Sequence, residues 1–93
     1  LVVIKEMKDY LRGRVAGEVP GILRRALLGH GLTAGQLLEQ DSEIAAARAA
    51  LSAARAGDAV LLPVHGVAAR GEVLALIERL RSAAWQAGTG LPE

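Results

Sequence analysis

Two short apolar runs stand out against the longer mixed stretches of this chain. Leu1 to Ile4 is continuously apolar and rich in β-branched residues, and Ala59 to His65 is a second run of the same kind. Such runs are typical of strands that are buried on both faces of a parallel sheet. Pro63 lacks the amide hydrogen that a central strand needs, so the second strand is predicted at an edge or a bulge.

An amphipathic stretch between the two runs predicts a first helix. It begins near Glu18 and ends at about His30, and its apolar residues recur at the spacing of one helix face. After this helix, Leu37 and Leu38 allow a short additional strand, while Gly35 beside them favours a loop equally well. The pattern alone does not choose between a strand and a loop at this position.

Two further helices are predicted in the second half of the chain. An Ala-rich stretch is capped by Asp41 or Ser42 and ends near Gly57, and another amphipathic stretch follows Gly66, with Trp85 packing against its last turn. The polar and Gly-containing tail over 88–93 is predicted to be flexible.

The order strand, helix, possible strand, helix, strand, helix predicts the α/β class. Right-handed crossovers then build a parallel sheet flanked by helices. We therefore expect residues 1–93 to form a single α/β domain. Since only two strands are convincing and so small a sheet is marginally stable alone, we expect further strands from sequence preceding Leu1.

Composition and charge exclude several classes of function. The net charge is +1, and the basic residues are dispersed without interleaved aromatic residues, so neither nucleic acid nor a membrane surface is predicted as a partner. No apolar stretch approaches the roughly 20 residues of a membrane span. The chain has no cysteine, which excludes a thiolate nucleophile and suits a cytoplasmic protein.

Candidate chemistry concentrates in the loop after the first strand, because ligands of parallel sheets bind beyond the carboxyl ends of the strands. Arg12 and Arg14 flank Gly13 there and could present forked donors to a phosphate or a carboxylate. The alternative is that both arginines are solvated or paired with Glu6 or Asp9.

The two histidines and the serines of the chain support fewer roles. His65 ends the second apolar run and could act as a ligand-facing base or donor, or simply pack or face solvent. His30 suits a C-terminal cap of the first helix, and Glu18 suits the positive end of that helix. No catalytic triad, metal-ligand spacing or phosphate-binding Gly-Lys-Thr loop occurs.

Three motifs occur in an order that resembles the C-terminal domain of Mur-type ligases, in the version found in cyanophycin synthetase. They are Lys5-Glu6 at a strand end, the Leu-Arg-Gly-Arg motif over 11–14, and Gly-Glu-Val over 17–19 at a helix start. The similarity continues through Gly57-Asp58 into the following apolar run. Ala16 departs from the usual proline, and the segment before Asp41 is a poor strand.

The resemblance implies a Rossmann-like domain of an ATP-dependent ligase that forms an amide bond from a carboxylate and an amine. ATP and Mg²⁺ would be held mainly by a central ATPase domain of the same polypeptide, which would be the main partner of this one. Arg12, Arg14 and Lys5 would contact an amino-acid or peptide substrate or a phosphate, and closure of the domain would exclude water. The fragment alone would be inactive.

A second hypothesis belongs to a different functional class. A standalone α/β interaction module could use an exposed sheet edge for self-association and form a homo-oligomer. The presence or absence of an upstream phosphate-binding loop separates the two hypotheses, because the first requires that loop and the second forbids it.

Overall fold

A two-stranded parallel sheet lies at the centre of the computed structural model, which describes residues 1–92. β1 spans Val2–Lys5 and β2 spans Leu37–Gln40. Val2 pairs with Leu37 and Lys5 pairs with Gln40, so the two strands are in register over their whole length. The mixed α/β class predicted from the sequence is confirmed.

Three helices surround this sheet. α1 spans Glu18–Gly29 and connects β1 to β2, α2 spans Glu43–Ala53, and α3 spans Val67–Ser82. α2 packs on both strands and on α3, whereas α1 packs on β1. Each helix lies where the apolar periodicity predicted it.

The short strand near Leu37 forms, which resolves the choice between strand and loop at this position. A 3₁₀ turn over Ala34–Gln36 leads into β2, and the side chain of Gln36 accepts the amide hydrogen of Thr33 at 2.9 Å in a capping box. Leu37 is buried and pairs with Val2. Pairing with β1 outweighs the weak local preference of this segment.

The predicted strand over Ala59–His65 is wrong. Within residues 1–92, β1 pairs only with β2, and the segment 59–65 is extended but irregular. Its burial still alternates as in a strand, since Leu62 and Val64 are half-buried while Leu61 is exposed. A strand needs a hydrogen-bonded neighbour, and this segment lies across a groove from β1.

α2 ends at Ala53 instead of near Gly57. Ala54 is extended, with φ −66° and ψ 145°, and is buried. The carboxylate of Asp58 then accepts the amide hydrogen of Arg55 at 2.8 Å, which gives that donor a partner outside the helix. The helix start is as predicted, because Ser42 is the N-cap and its Oγ accepts from the amide of Ala45 at 3.2 Å.

The core is small and lies between the sheet, α2 and α3. Its apolar residues are Ile4, Leu37, Ala46, Ala47, Ala54, Val73, Leu76 and Leu80. α1 contributes no buried residue to it within the described range. Glu43 is the buried charged residue of this core.

The last described residues fold back on the helices. The indole of Trp85 donates to the carbonyl of Gly90 at 2.6 Å, and Arg48 donates to the carbonyl of Pro92 at 3.2 Å. Glu93, the end of the predicted flexible tail, lies outside the described residues. None of the helices in residues 1–92 has both the length and the apolar character needed to cross a membrane.

Candidate functional site

Glu43 lies at the carboxyl end of the sheet and turns inward as the first residue of α2. It precedes Ala46 by three positions and Ala47 by four, so it shares the buried face of the helix. Its side chain is 6 % exposed. A carboxylate buried this deeply requires compensating partners.

Three donors converge on the Glu43 carboxylate. Lys5 Nζ lies 2.6 Å from Oε1, and the backbone amides of His65 and Gly66 each donate at 2.8 Å. Lys5 also donates to the carbonyl of Pro63. We call this group the strand-end cluster, because it joins the end of β1, the start of α2 and the start of α3.

The strand-end cluster keeps Glu43 ionised. Burial alone would raise the pKa of this carboxyl, because it disfavours the charged form. The amides of His65 and Gly66, together with the hydrogen bond and charge of Lys5, outweigh burial and lower the pKa from 4.5 to about 2. The carboxylate therefore carries a negative charge at neutral pH.

A cleft of about 270 Å³ opens beside the strand-end cluster, between the loop after β1 and the first turn of α3. Acidic side chains dominate its charged lining: Glu6, Asp9, Asp41, Glu43 and Glu72. Lys8 is the cationic residue of this lining and lies 3.4 Å from Asp41. The field in such a cleft favours a cationic group such as a protonated amine.

The loop after β1 is held by its own backbone contacts. Glu6 accepts the amide hydrogen of Gly17 at 2.5 Å, which ties the start of the loop to the start of α1. Between them a turn closes with a hydrogen bond of 3.0 Å from the amide of Arg14 to the carbonyl of Leu11. Its two central residues, Arg12 and Gly13, have φ of 52° and 86°, a pattern typical of type I′ turns.

The two arginines of this turn face different environments. Arg14 forms an ion pair with Glu18, one helical turn further on, at the start of α1. This pairing was not among the partners expected from the sequence, which were Glu6 and Asp9. Arg12 is exposed and makes no side-chain hydrogen bond or ion pair within residues 1–92. Its guanidinium can therefore donate hydrogen bonds to an incoming anion.

The structure brings together only some of the predicted site residues. Lys5 and His65 meet at Glu43, but His65 participates through its backbone amide and its side chain is exposed. Arg12 and Arg14 do not line the acidic cleft. His30 caps α1 through its own amide, which donates to the carbonyls of Ala26 and Leu27.

Sequence reasoning missed Glu43, which is the centre of the site. An acidic residue after a serine N-cap is ordinarily explained by the helix dipole, so it attracts little notice. The detectable feature was its spacing to Ala46 and Ala47, which places it on the apolar face of α2. Among the described residues, no three His, Cys, Asp or Glu side chains are arranged to hold a metal ion.

Comparison of the chain with protein-family models, with curated proteins and with solved structures returned no match.

Proposed function

We propose that this domain is the substrate-binding and closure domain of an ATP-dependent carboxylate–amine ligase, similar to the C-terminal domain of cyanophycin synthetase. It would have a Rossmann-like sheet, work in the cytoplasm and have no catalytic activity alone. The central ATPase domain of the same polypeptide would be its partner. The mixed α/β architecture is compatible with this proposal.

One observation carries the proposal: the Leu-Arg-Gly-Arg turn lies in the loop that follows the carboxyl end of β1, with the guanidinium of Arg12 unpaired among the described residues. The carboxyl edge is where parallel sheets bind ligands. An exposed arginine on a turn that is tied to α1 through Glu6 and Gly17 suits a phosphate or carboxylate.

The acidic cleft supports binding of the amine substrate in the same reaction. A ligase of this kind phosphorylates a carboxylate, and the amine then displaces phosphate from the acyl phosphate. Asp9, Asp41 and Glu72 would attract and orient a cationic amine substrate beside the first turn of α3. Arg12 would hold an anionic group, and Arg14 would keep the turn in place through Glu18.

ATP and Mg²⁺ belong to the central domain on this proposal. The chain has no phosphate-binding Gly-Lys-Thr or Gly-Lys-Ser loop. The part of this domain in ATP chemistry would then be limited to charge from Arg12 and exclusion of water on closure.

The test is ATP-dependent release of phosphate by the native polypeptide in the presence of amino acids. Arg12→Ala should lower kcat/KM by about 10-fold to 100-fold, the loss expected for one charged hydrogen bond to substrate. Arg25→Ala is the matched control, since Arg25 is an exposed arginine on α1. Equal activity of both variants would remove Arg12 from the site, and no amino-acid-dependent phosphate release would refute the ligase.

A self-association module is the second candidate function. The observation that favours it is the number of large apolar side chains left exposed near the sheet, including Leu1, Leu38 and Leu61. Sedimentation of the chain over a range of concentrations tests it. A dimer that forms at micromolar concentration supports this candidate, and a monomer at all concentrations rejects it.

A further inference from the structure

A groove of about 600 Å³ separates β1 from the extended segment Ala59–Val64. β1 forms one wall, this segment forms the other, and the floor consists of small side chains of α2, namely Ala46, Ala47 and Ala50. The lining is mostly apolar, and Leu61 on the far wall is 87 % exposed. An exposed apolar groove of this kind is typical of a surface that binds another segment of protein chain.

Both walls carry unused backbone hydrogen-bonding groups. A strand in a parallel sheet directs alternate amides and carbonyls to its two sides, so half of those in β1 point away from β2 and toward the groove. Within residues 1–92, the segment 59–64 makes no backbone–backbone hydrogen bond. An extended chain in the groove would satisfy both walls at the same time.

The dimensions of the groove match one strand of about four residues. A strand rises about 3.3 Å per residue, lies about 4.8 Å from each neighbour and occupies about 10 Å of thickness, so four residues fill roughly 600 Å³. At one end, Lys5 reaches across to the carbonyl of Pro63. An extended lysine side chain and a hydrogen bond cover about 9 Å at most, so at this end the two walls lie within about two inter-strand spacings of each other.

The two walls run in the same direction, and a parallel strand between them would continue the parallel arrangement of β1 and β2. The contact between Lys5 and Pro63 lies at the carboxyl end of β1 and toward the carboxyl end of the segment, so the two run in the same direction. A strand between them would extend the sheet to the order β2, β1, inserted strand and Ala59–Val64. The two walls would then become strands of one continuous sheet.

Handedness indicates where this strand connects. Because parallel crossovers are right-handed, a helix leading from the inserted strand to β1 would lie on the same face of the sheet as α1. On that face of the sheet, α1 has an apolar surface that no other element covers, since Val19, Ile22 and Leu23 are each at least 38 % exposed. One segment consisting of a strand and a helix would therefore cover both the groove and α1.

We propose that the groove holds a β-strand that runs parallel to β1, belongs to the same polypeptide and reaches Leu1 through a helix that packs on α1. The inference rests on the proposed function in one respect, namely that this domain is part of a longer polypeptide. It identifies the structural contribution that the rest of the polypeptide makes to this domain.

A second copy of the chain is a poorer occupant. A strand in the groove needs both edges free, because it bonds β1 on one side and the Ala59–Val64 segment on the other. In a second copy, β1 and β2 each already use one edge for the other. Its 59–64 segment has free edges, but the amides of His65 and Gly66 anchor the end of that segment to Glu43 of its own chain. A separate copy would also leave the exposed face of α1 uncovered.

Hydrogen–deuterium exchange of the native polypeptide tests the proposal. Pro63 has no amide hydrogen, and alternate amides among the other residues of 59–64 should exchange at least about 100-fold more slowly than in an unfolded chain, because they pair with the inserted strand. Exchange of all these amides at the unfolded rate overturns the proposal, and so does a native polypeptide that begins at Leu1. Protection that grows with protein concentration overturns it in favour of a second copy.

Two substitutions provide a matched readout in the native polypeptide. Leu61→Asp should lower its melting temperature, because Leu61 becomes covered when the groove is filled, while Leu74→Asp should have little effect. The two sites are matched because both leucines are exposed in residues 1–92, at 87 % and 67 %. Equal effects at both sites in the native polypeptide would contradict the proposal.

The phosphate-release assay on the same preparation separates the two proposals. Protection of 59–64 without amino-acid-dependent phosphate release would refute the ligase and keep the strand. Phosphate release without protection would refute the strand and keep the ligase.

Discussion

The strand-end cluster and the groove lie along the same gap between β1 and the segment that precedes α3, yet they differ in how their polar groups are satisfied. At the carboxyl end of the gap, Glu43, Lys5 and the amides of His65 and Gly66 satisfy one another. Along the rest of the gap, the backbones of β1 and of the segment 59–64 face each other without a hydrogen bond.

This difference shows what a few buried contacts can hold in place. One carboxylate joins the ends of three elements, and α3 also packs on α2 with Val73, Leu76 and Leu80 buried. The carboxylate cannot convert the neighbouring segment into a strand, because a strand is stabilised along its whole length by a partner. The end of the gap is therefore fixed while its middle stays open.

Removal of the Glu43 carboxylate should have the largest effect. Glu43→Ala leaves the Lys5 ammonium and two amide hydrogens without their acceptor, so we expect a loss of about 3–5 kcal/mol in the free energy of unfolding. Urea unfolding measures it, with Glu39→Ala as the control, since Glu39 is exposed and its nearest cation, Arg24, lies 3.8 Å away. Equal losses would show that the strand-end cluster does not stabilise the fold. If Glu43→Ala does not fold, Glu43→Gln provides a milder test of the same contact.

Acid should weaken the same contact reversibly. The pKa of Glu43 is lower in the folded chain, about 2 against 4.5, so the folded state holds fewer protons. Its contribution is therefore complete above pH 4.5 and is lost as the pH falls toward 2. The loss amounts to about 3 kcal/mol. Urea unfolding between pH 5 and pH 2 measures it, and Glu43→Gln should show a flatter pH dependence than the wild type.

A methyl group at Gly66 should disturb the strand-end cluster from the other side. A Cβ there would lie 2.9 Å from Oε2 of Glu43, the atom that already accepts the amide hydrogen of Gly66. We expect Gly66→Ala to cost about 1–3 kcal/mol in thermal or urea unfolding. Gly71→Ala is the control, because a Cβ at Gly71 has nothing within 4 Å and should stabilise α3 by up to about 1 kcal/mol. A neutral Gly66→Ala would show that the carboxylate can move.

The smallest effect is expected at the surface ion pair of Arg14 and Glu18. Their side chains are 53 % and 37 % exposed, so water screens their attraction. Arg14→Ala should lower the free energy of unfolding by about 0.3–0.5 kcal/mol, and added salt should reduce that difference. A loss comparable with that of Glu43→Ala would contradict the distinction between buried and exposed pairs.

The helices were predictable because their stability depends on periodicity and caps that are local in sequence. The start of α2 at Ser42 and the start of α3 after Gly66 follow from such features. The end of α2 was not predictable, because the contact between Asp58 and Arg55 competes with further helical turns.

The candidate site was harder to predict from the sequence than the helices were. Lys5 was expected to add positive charge at the strand end, yet its ammonium is engaged by Glu43. The acidic cleft combines residues from the loop after β1, the start of α2 and α3. Residues so far apart along the chain carry no shared pattern that would identify them as neighbours.

The sequence by itself determined the α/β class, the three helices and the strand at Val2–Lys5, because each depends on local periodicity. Only the tertiary structure decided which extended segments become strands: Leu37–Gln40 has a partner in β1, whereas the more apolar segment 59–65 has none. It also decided that Glu43 is buried and ionised. Strand pairing and the pKa of a buried carboxylate both depend on groups that are distant along the chain and meet only in the folded protein.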